Sequence, residues 1–101
     1  MTILTADAML DERWALSPSV ALRPEPFGAL AYHFGNRRLT FLKKLQVVRV
    51  VRALGESATV REALDRSEIP ESQWPIYLTA LRALAVSDML RPIEGTIHDV
   101  A

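Results

Sequence analysis

The chain of 101 residues has no cysteine, which excludes disulfides, a thiolate nucleophile, and sulfur-ligated zinc or iron–sulfur centres. Nothing therefore points to an oxidising compartment, and the cytoplasm is the expected location. No apolar run approaches the roughly 20 residues needed to span a bilayer. Residues 1–10 lack both a basic start and a sustained apolar stretch, so neither a membrane partner nor a secretion signal is expected. The four glycines are too few and too scattered to cradle a phosphate, and the dinucleotide, P-loop, nucleophile-elbow and H-E-x-x-H motifs are all missing. The two histidines, His33 and His98, are far apart and lack helix-spaced partners, so a metal site would need ligands the sequence does not nominate. No cofactor and no catalytic residue are expected. Twelve Lys and Arg balance twelve Asp and Glu, so the basic excess of a dedicated nucleic-acid binder is missing too.

What is present is ordinary globular composition, 50% hydrophobic and 24% charged, in a length suited to one core. The charges are unevenly placed. Residues 26–55 carry Arg37, Arg38, Lys43, Lys44, Arg49 and Arg52 and no acid, which makes a local positive field.

The first dozen residues show no period and read, up to residue 13, as a flexible lead-in. Val20-Ala21-Leu22 makes a plausible first strand, and Pro24 and Pro26 then exclude helix. In Leu30-Ala31-Tyr32-His33-Phe34 the large side chains alternate, which predicts a second strand with Leu30, Tyr32 and Phe34 inward. Gly35-Asn36 fits a two-residue hairpin turn, and Arg38-Leu39-Thr40-Phe41 becomes the return strand.

After Lys43 the period turns helical, with Leu45, Val48, Val51 and Leu54 in one stripe widened by Val47 and Val50, and Gly55 as terminator. A second helix opens on the capping pattern Thr59-Val60-Arg61-Glu62 and ends before Ile69-Pro70. A third begins near Ser72, tolerates Pro75 in its first turn, and runs through Tyr77, Leu78, Leu81, Leu84 and Ala85 towards Asp88. The expected fold is α+β, a winged helix-turn-helix-like domain with a three-stranded antiparallel sheet followed by three helices, over residues 14–92. Residues 93–101 read as a tail.

Glu62 and Asp65 share a helix face, but Arg61 and Arg66 flank them and a solvated surface is the simpler reading than paired catalytic carboxylates. Tyr32, Phe34 and Phe41 beside Arg37 and Arg38 could form a stacking platform for nucleic acid. Their two-residue spacing instead predicts that at least two of the three rings are buried. A small winged-helix DNA-binding regulator is the alternative function. Against it, the third helix, where base-reading side chains belong, carries only Arg82 and Gln73 among apolar residues.

The run from Val20-Ala21-Leu22-Arg23-Pro24-Glu25-Pro26-Phe27-Gly28 through Tyr32-His33-Phe34-Gly35-Asn36 to Leu42-Lys43 resembles the MftB family of mycofactocin-system chaperones, part of the wider PqqD-like peptide-recognition family. The resemblance continues more loosely through Val50-Val51-Arg52-Ala53-Leu54, Arg61-Glu62-Ala63-Leu64, Gln73-Trp74-Pro75-Ile76-Tyr77 and Ser87-Asp88-Met89-Leu90-Arg91. It implies a non-catalytic domain that binds the acidic leader of a ribosomally made precursor peptide and presents it to a radical S-adenosylmethionine maturase. It also implies that the leader adds as a strand on the third strand's edge, against the third helix. Carried onto this chain, the peptide site is the edge Arg38, Leu39, Thr40, Phe41 and Leu42, with Arg37 beside it, and a wall that includes Tyr77, Leu78, Leu81 and Arg82, the helix positions being set by periodicity. Whether Leu39, Phe41, Leu78 and Leu81 face a ligand or the core stays open, as does a homodimer through the free edge.

Overall fold

The computed structural model describes residues 5–93. Along the chain run α1 (Thr5–Leu10), β1 (Trp14–Leu16), β2 (Val20–Glu25), β3 (Gly28–His33), β4 (Leu39–Leu42), α2 (Leu45–Leu54), α3 (Val60–Arg66), a 3-10 turn (Glu71–Gln73), α4 (Trp74–Val86) and β5 (Leu90–Pro92). The fold is α+β. β2, β3 and β4 form an antiparallel meander in that order, and β1 pairs with β5 as a separate two-stranded ribbon.

The helices stand where periodicity puts them. α2 turns Val48, Val50, Val51 and Leu54 inward, although Leu45, expected in that stripe, is left exposed at its first turn. No side chain caps its start, so packing of the valine face holds it. The α3 cap forms, with Thr59 Oγ1 accepting from the Glu62 amide at 3.1 Å. Glu62 Oε1 reaches one residue further back than the motif requires and accepts from the Ala58 amide at 2.6 Å. α4 follows the 3-10 turn with Pro75 in its first turn, and the buried Trp74 indole donates to the Ile69 carbonyl at 2.8 Å. Tyr77, Leu78, Leu81 and Leu84 form its core face.

Four features differ from the sequence expectations. There are four α-helices among the described residues, not three, because Thr5–Leu10 is helical and buries Met9 and Leu10. Six residues make too little helix to show a period. Trp14–Leu16 and Leu90–Pro92, neither of them expected as a strand, pair with each other. The hairpin turn is wider than Gly35-Asn36: the His33 amide donates to the Arg38 carbonyl, the His33 carbonyl accepts from the Arg37 amide, and the left-handed residue is Arg37 (φ 64°). Beyond Ile93, the expected tail lies outside the described residues, as does His98.

The fourth difference is the sheet's orientation. Ala29, Ala31 and His33 are buried, whereas Leu30 and Tyr32 are only half-buried and Phe34 is exposed. Phe41 and Leu39 are exposed as well. The inner face is thus the one with small side chains, which lets the valine face of α2 lie close against the sheet; the large rings stay outside. The predicted burial of at least two of Tyr32, Phe34 and Phe41 is therefore overturned, and with it that part of the argument against a stacking platform.

Candidate functional site

A groove of about 330 Å³ lies between β4 and α4, with the start of α2 along it. Thr40, Phe41, Leu42, Lys43 and Lys44 line one side, Ile76, Tyr77, Ala80, Ala83 and Leu84 the other, and Val47 lies between. Apart from the two lysines and the hydroxyls of Thr40 and Tyr77, the lining side chains are apolar. Its volume is at the small end of ligand sites, enough for individual side chains of a longer ligand.

The register defines which backbone groups are free beside it. β3 pairs with β4 as Ala29↔Leu42, Leu30↔Phe41, Ala31↔Thr40 and Tyr32↔Leu39, and β4 has no other neighbour among the described residues. The His33 amide bonds the Arg38 carbonyl at 2.9 Å, so this is a hydrogen-bonded position of the ladder. Antiparallel ladders alternate, so Thr40 and Leu42 bond β3 while Leu39 and Phe41 turn their N–H and C=O groups to the open edge. Two donors and two acceptors thus stand unpaired beside an apolar wall.

The sequence-nominated residues divide between groove and core. Thr40, Phe41, Leu42 and Tyr77 line the groove, and Leu39 supplies edge backbone. Arg37 and Arg38 sit exposed at the hairpin end of that edge. Leu78 and Leu81, 3% and 1% exposed, are packed in the core, and Arg82 is exposed away from the lining. Sequence reasoning missed Ile76, Ala80 and Ala83; Ile76 is one position off the core stripe and 65% exposed, a large aliphatic residue where a solvated helix face calls for a polar one.

A polar clamp ties the hairpin to the far end of α4. His33, buried on the inner face, accepts the Gly35 and Asn36 amides at Nδ1 (2.9 and 3.1 Å). Its other nitrogen therefore carries the proton and donates to Asp88 Oδ2 at 2.8 Å. The Asn36 amide group adds a bond to the Ser87 carbonyl, and Arg91 donates to Asp88. These contacts fix β4's starting end relative to the α4 wall.

The hydrogen bond from His33, followed by that from Arg91, holds the Asp88 carboxyl below the usual carboxylate range. A folded-state pKa lowered in this way adds stability that is complete above the unfolded value and is lost as pH falls through the folded one. Asp88→Asn is expected to flatten the fall in melting temperature between about pH 5 and about pH 2, as read by thermal scans. An unchanged acid slope would show that the clamp is not coupled to folding.

Among the described residues, no group of three or more His, Cys, Asp or Glu is gathered to hold a metal ion, and no helix is long and apolar enough to cross a membrane. A second hollow, between β1 and the C-terminal end of α2, is lined by Leu16, Leu22, Val51 and Arg52 among others and contains none of the nominated residues.

The model of the peptide chaperone MftB family matches residues 13–91. A protein named peptide chaperone MftB from Mycobacterium ulcerans (strain Agy99) is 49% identical over 85 residues, 84% of this chain and 78% of the relative. The same name belongs to a relative from Mycobacterium tuberculosis (strain ATCC 25618 / H37Rv), 45% identical over 85% of this chain and 79% of its own length. A third so named, from Mycolicibacterium smegmatis (strain ATCC 700084 / mc(2)155), is 49% identical over 81% of this chain and 80% of its own. No solved structure matches the chain.

Proposed function

We propose that this chain, which belongs to the peptide chaperone MftB family, holds the leader of the mycofactocin precursor peptide as an extra strand on β4 and presents the peptide's C-terminal core to a radical S-adenosylmethionine maturase. The observation that carries this reading is the open edge of Leu39 and Phe41 beside the groove of Ile76, Tyr77 and Ala80. In it the recognition domain is residues 14–92, of winged helix-turn-helix type, with α3 and α4 as the helix pair and the β2–β4 meander as the wing. It works in the cytoplasm, without catalysis of its own.

Magnitudes set what the groove must do. Four backbone hydrogen bonds contribute roughly 0.5–1.5 kcal/mol each. Micromolar affinity needs about 8 kcal/mol net, and association with peptide ordering costs at least about 4 kcal/mol more. The remainder, roughly 6–10 kcal/mol, corresponds to about 250–400 Å² of apolar surface at ~25 cal/mol per Å². Two or three apolar leader side chains entering at alternate positions supply that area. Lys43 and Lys44 at the groove, with Arg37 and Arg38 near the hairpin, favour an acidic leader and speed its encounter.

Calorimetry with the precursor peptide, beside salt titrations with duplex and single-stranded DNA, tests the reading. It requires 1:1 peptide binding and little affinity for either oligonucleotide. Tight DNA binding with a steep negative salt slope, and none to the peptide, would identify a regulator instead.

A further inference from the structure

The outer face of the β2–β4 sheet, turned away from the helices, carries more exposed apolar surface than the groove reading uses. Register places Tyr32 opposite Leu39 and Leu30 opposite Phe41 on that face. The Phe27 ring meets Phe41 edge-on at a centroid distance of 5.9 Å, and Tyr32 meets Phe34 edge-on at 5.3 Å. The result is one continuous band: Phe27, Phe41, Leu30, Tyr32, Leu39, Phe34. Phe27, Phe34, Leu39 and Phe41 are 42%, 61%, 57% and 59% exposed. With side chains of this size, the four leave on the order of 400 Å² of apolar surface in water, as much as the largest patch of an ordinary monomer and of the kind that marks an interaction site.

The charges around the band narrow the choice of occupant. Arg23 and Glu25 neutralise each other through a 2.9 Å ion pair on the β2 side. At the two ends stand Arg37, near Phe34, and Lys43, the residue after β4, and neither is part of an ion pair in the described structure. A second copy of the chain, docked face to face about a two-fold axis through the band, would bring these basic ends together, and like charges across an interface work against such pairing. The complementary surface is apolar with carboxylates at its margin.

Phe41 connects this face to the peptide site, because its backbone is part of the open edge and it also lines the groove. A strand added to β4 extends the sheet, so every second peptide side chain points into the groove and the alternate ones join the outer face. A protein seated on that face would touch the bound peptide directly. We propose that the outer sheet face, centred on Leu30, Tyr32 and Phe34, is where the maturase docks, through an apolar, carboxylate-rimmed patch, and that it reads the outward side chains of the peptide as it does so. This rests on the peptide-holding function proposed above.

The test uses the double variant Phe27→Asn/Phe34→Asn, whose positions are exposed and outside the groove lining and whose side chains add no charge near an acidic leader, with the purified maturase and precursor peptide as probes. Expected are at least a tenfold loss of maturase affinity by biolayer interferometry, peptide affinity within about twofold of the parent by calorimetry, and an unchanged thermal transition. The parent should also bind maturase more tightly when peptide is present. Parent-like maturase binding by the double variant would overturn the proposal, as would a parent that never binds maturase. A parent that sediments as a dimer and becomes monomeric in the double variant would assign the face to self-association. Loss of peptide binding by the parent would instead bring down the peptide-holding reading.

Discussion

Ile76→Asp is expected to weaken precursor-peptide binding at least about 100-fold while leaving the melting temperature within about 2 °C of the parent. Ile76 stands on α4 with 65% of its surface in water and faces β4 across the groove. It contributes little to folding, and its replacement has a solvated resting place in the free chain. Closing a peptide over it removes both circumstances. The aliphatic contact, worth about 1.5 kcal/mol or more, is lost, and a carboxylate must be desolvated against apolar walls beside an acidic ligand, which costs another ~1.5–3 kcal/mol. Together these reach the ~2.7 kcal/mol of a hundredfold change. Leu81→Asp is the contrasting substitution: Leu81 is 1% exposed in the core, so any loss of binding there would come with loss of the fold. Calorimetry and thermal melts on the two variants separate a groove residue from a core residue of the same helix.

Gly28→Ala is expected to cost about 3 kcal/mol of stability and to lower the melting temperature by about 15 °C. Gly28 begins β3 with φ of 152°, a backbone conformation that side-chain-bearing residues rarely adopt. A Cβ there would fall well inside van der Waals distance of the Leu42 carbonyl oxygen and also crowd the Lys44 amide. Both are backbone groups at the end of β4, where the edge strand turns into α2. Relief requires either a new start to β3 or displacement of the very strand that offers its edge. Peptide affinity should therefore fall along with stability. Chemical denaturation gives the first quantity and calorimetry at low temperature, where the variant remains folded, gives the second.

Much of the architecture was legible because each signal had one physical cause. The valines of α2, the Thr59 cap and the Pro75 start of α4 depend on local periodicity and on end amides, and these survive folding unchanged. The positions of β2, β3 and β4 were legible for the same reason. Which face of β3 turns inward was not. Ala29-Ala31-His33 and Leu30-Tyr32-Phe34 are both compatible with a two-residue period, and size alone favoured the wrong set. The deciding quantity, how closely α2 approaches the sheet, is a tertiary one. His33 illustrates the same point: its partners Asp88 and the turn amides come together only when the hairpin meets the end of α4.

The candidate groove was legible to the level of its elements. The sequence reading set the β4 edge beside α4, and Thr40, Phe41, Leu42 and Tyr77 border the groove between them. Along α4, periodicity identifies the apolar stripe but not what lies against it, so Leu78 and Leu81 went to the core while Ile76, Ala80 and Ala83 on the adjoining stripe face the groove. Small side chains on a helix are easily read as neutral filler. Here Ala80 and Ala83 make the space.

Amide hydrogen exchange followed residue by residue, in the free chain and with saturating precursor peptide, tests the strand-addition account most directly. Thr40 and Leu42, bonded to β3, should be protected in both states, whereas Leu39 and Phe41 should exchange freely alone and become protected when peptide is present. Amides of Leu39 and Phe41 already protected in the free monomer, or unaffected by bound peptide, would contradict it.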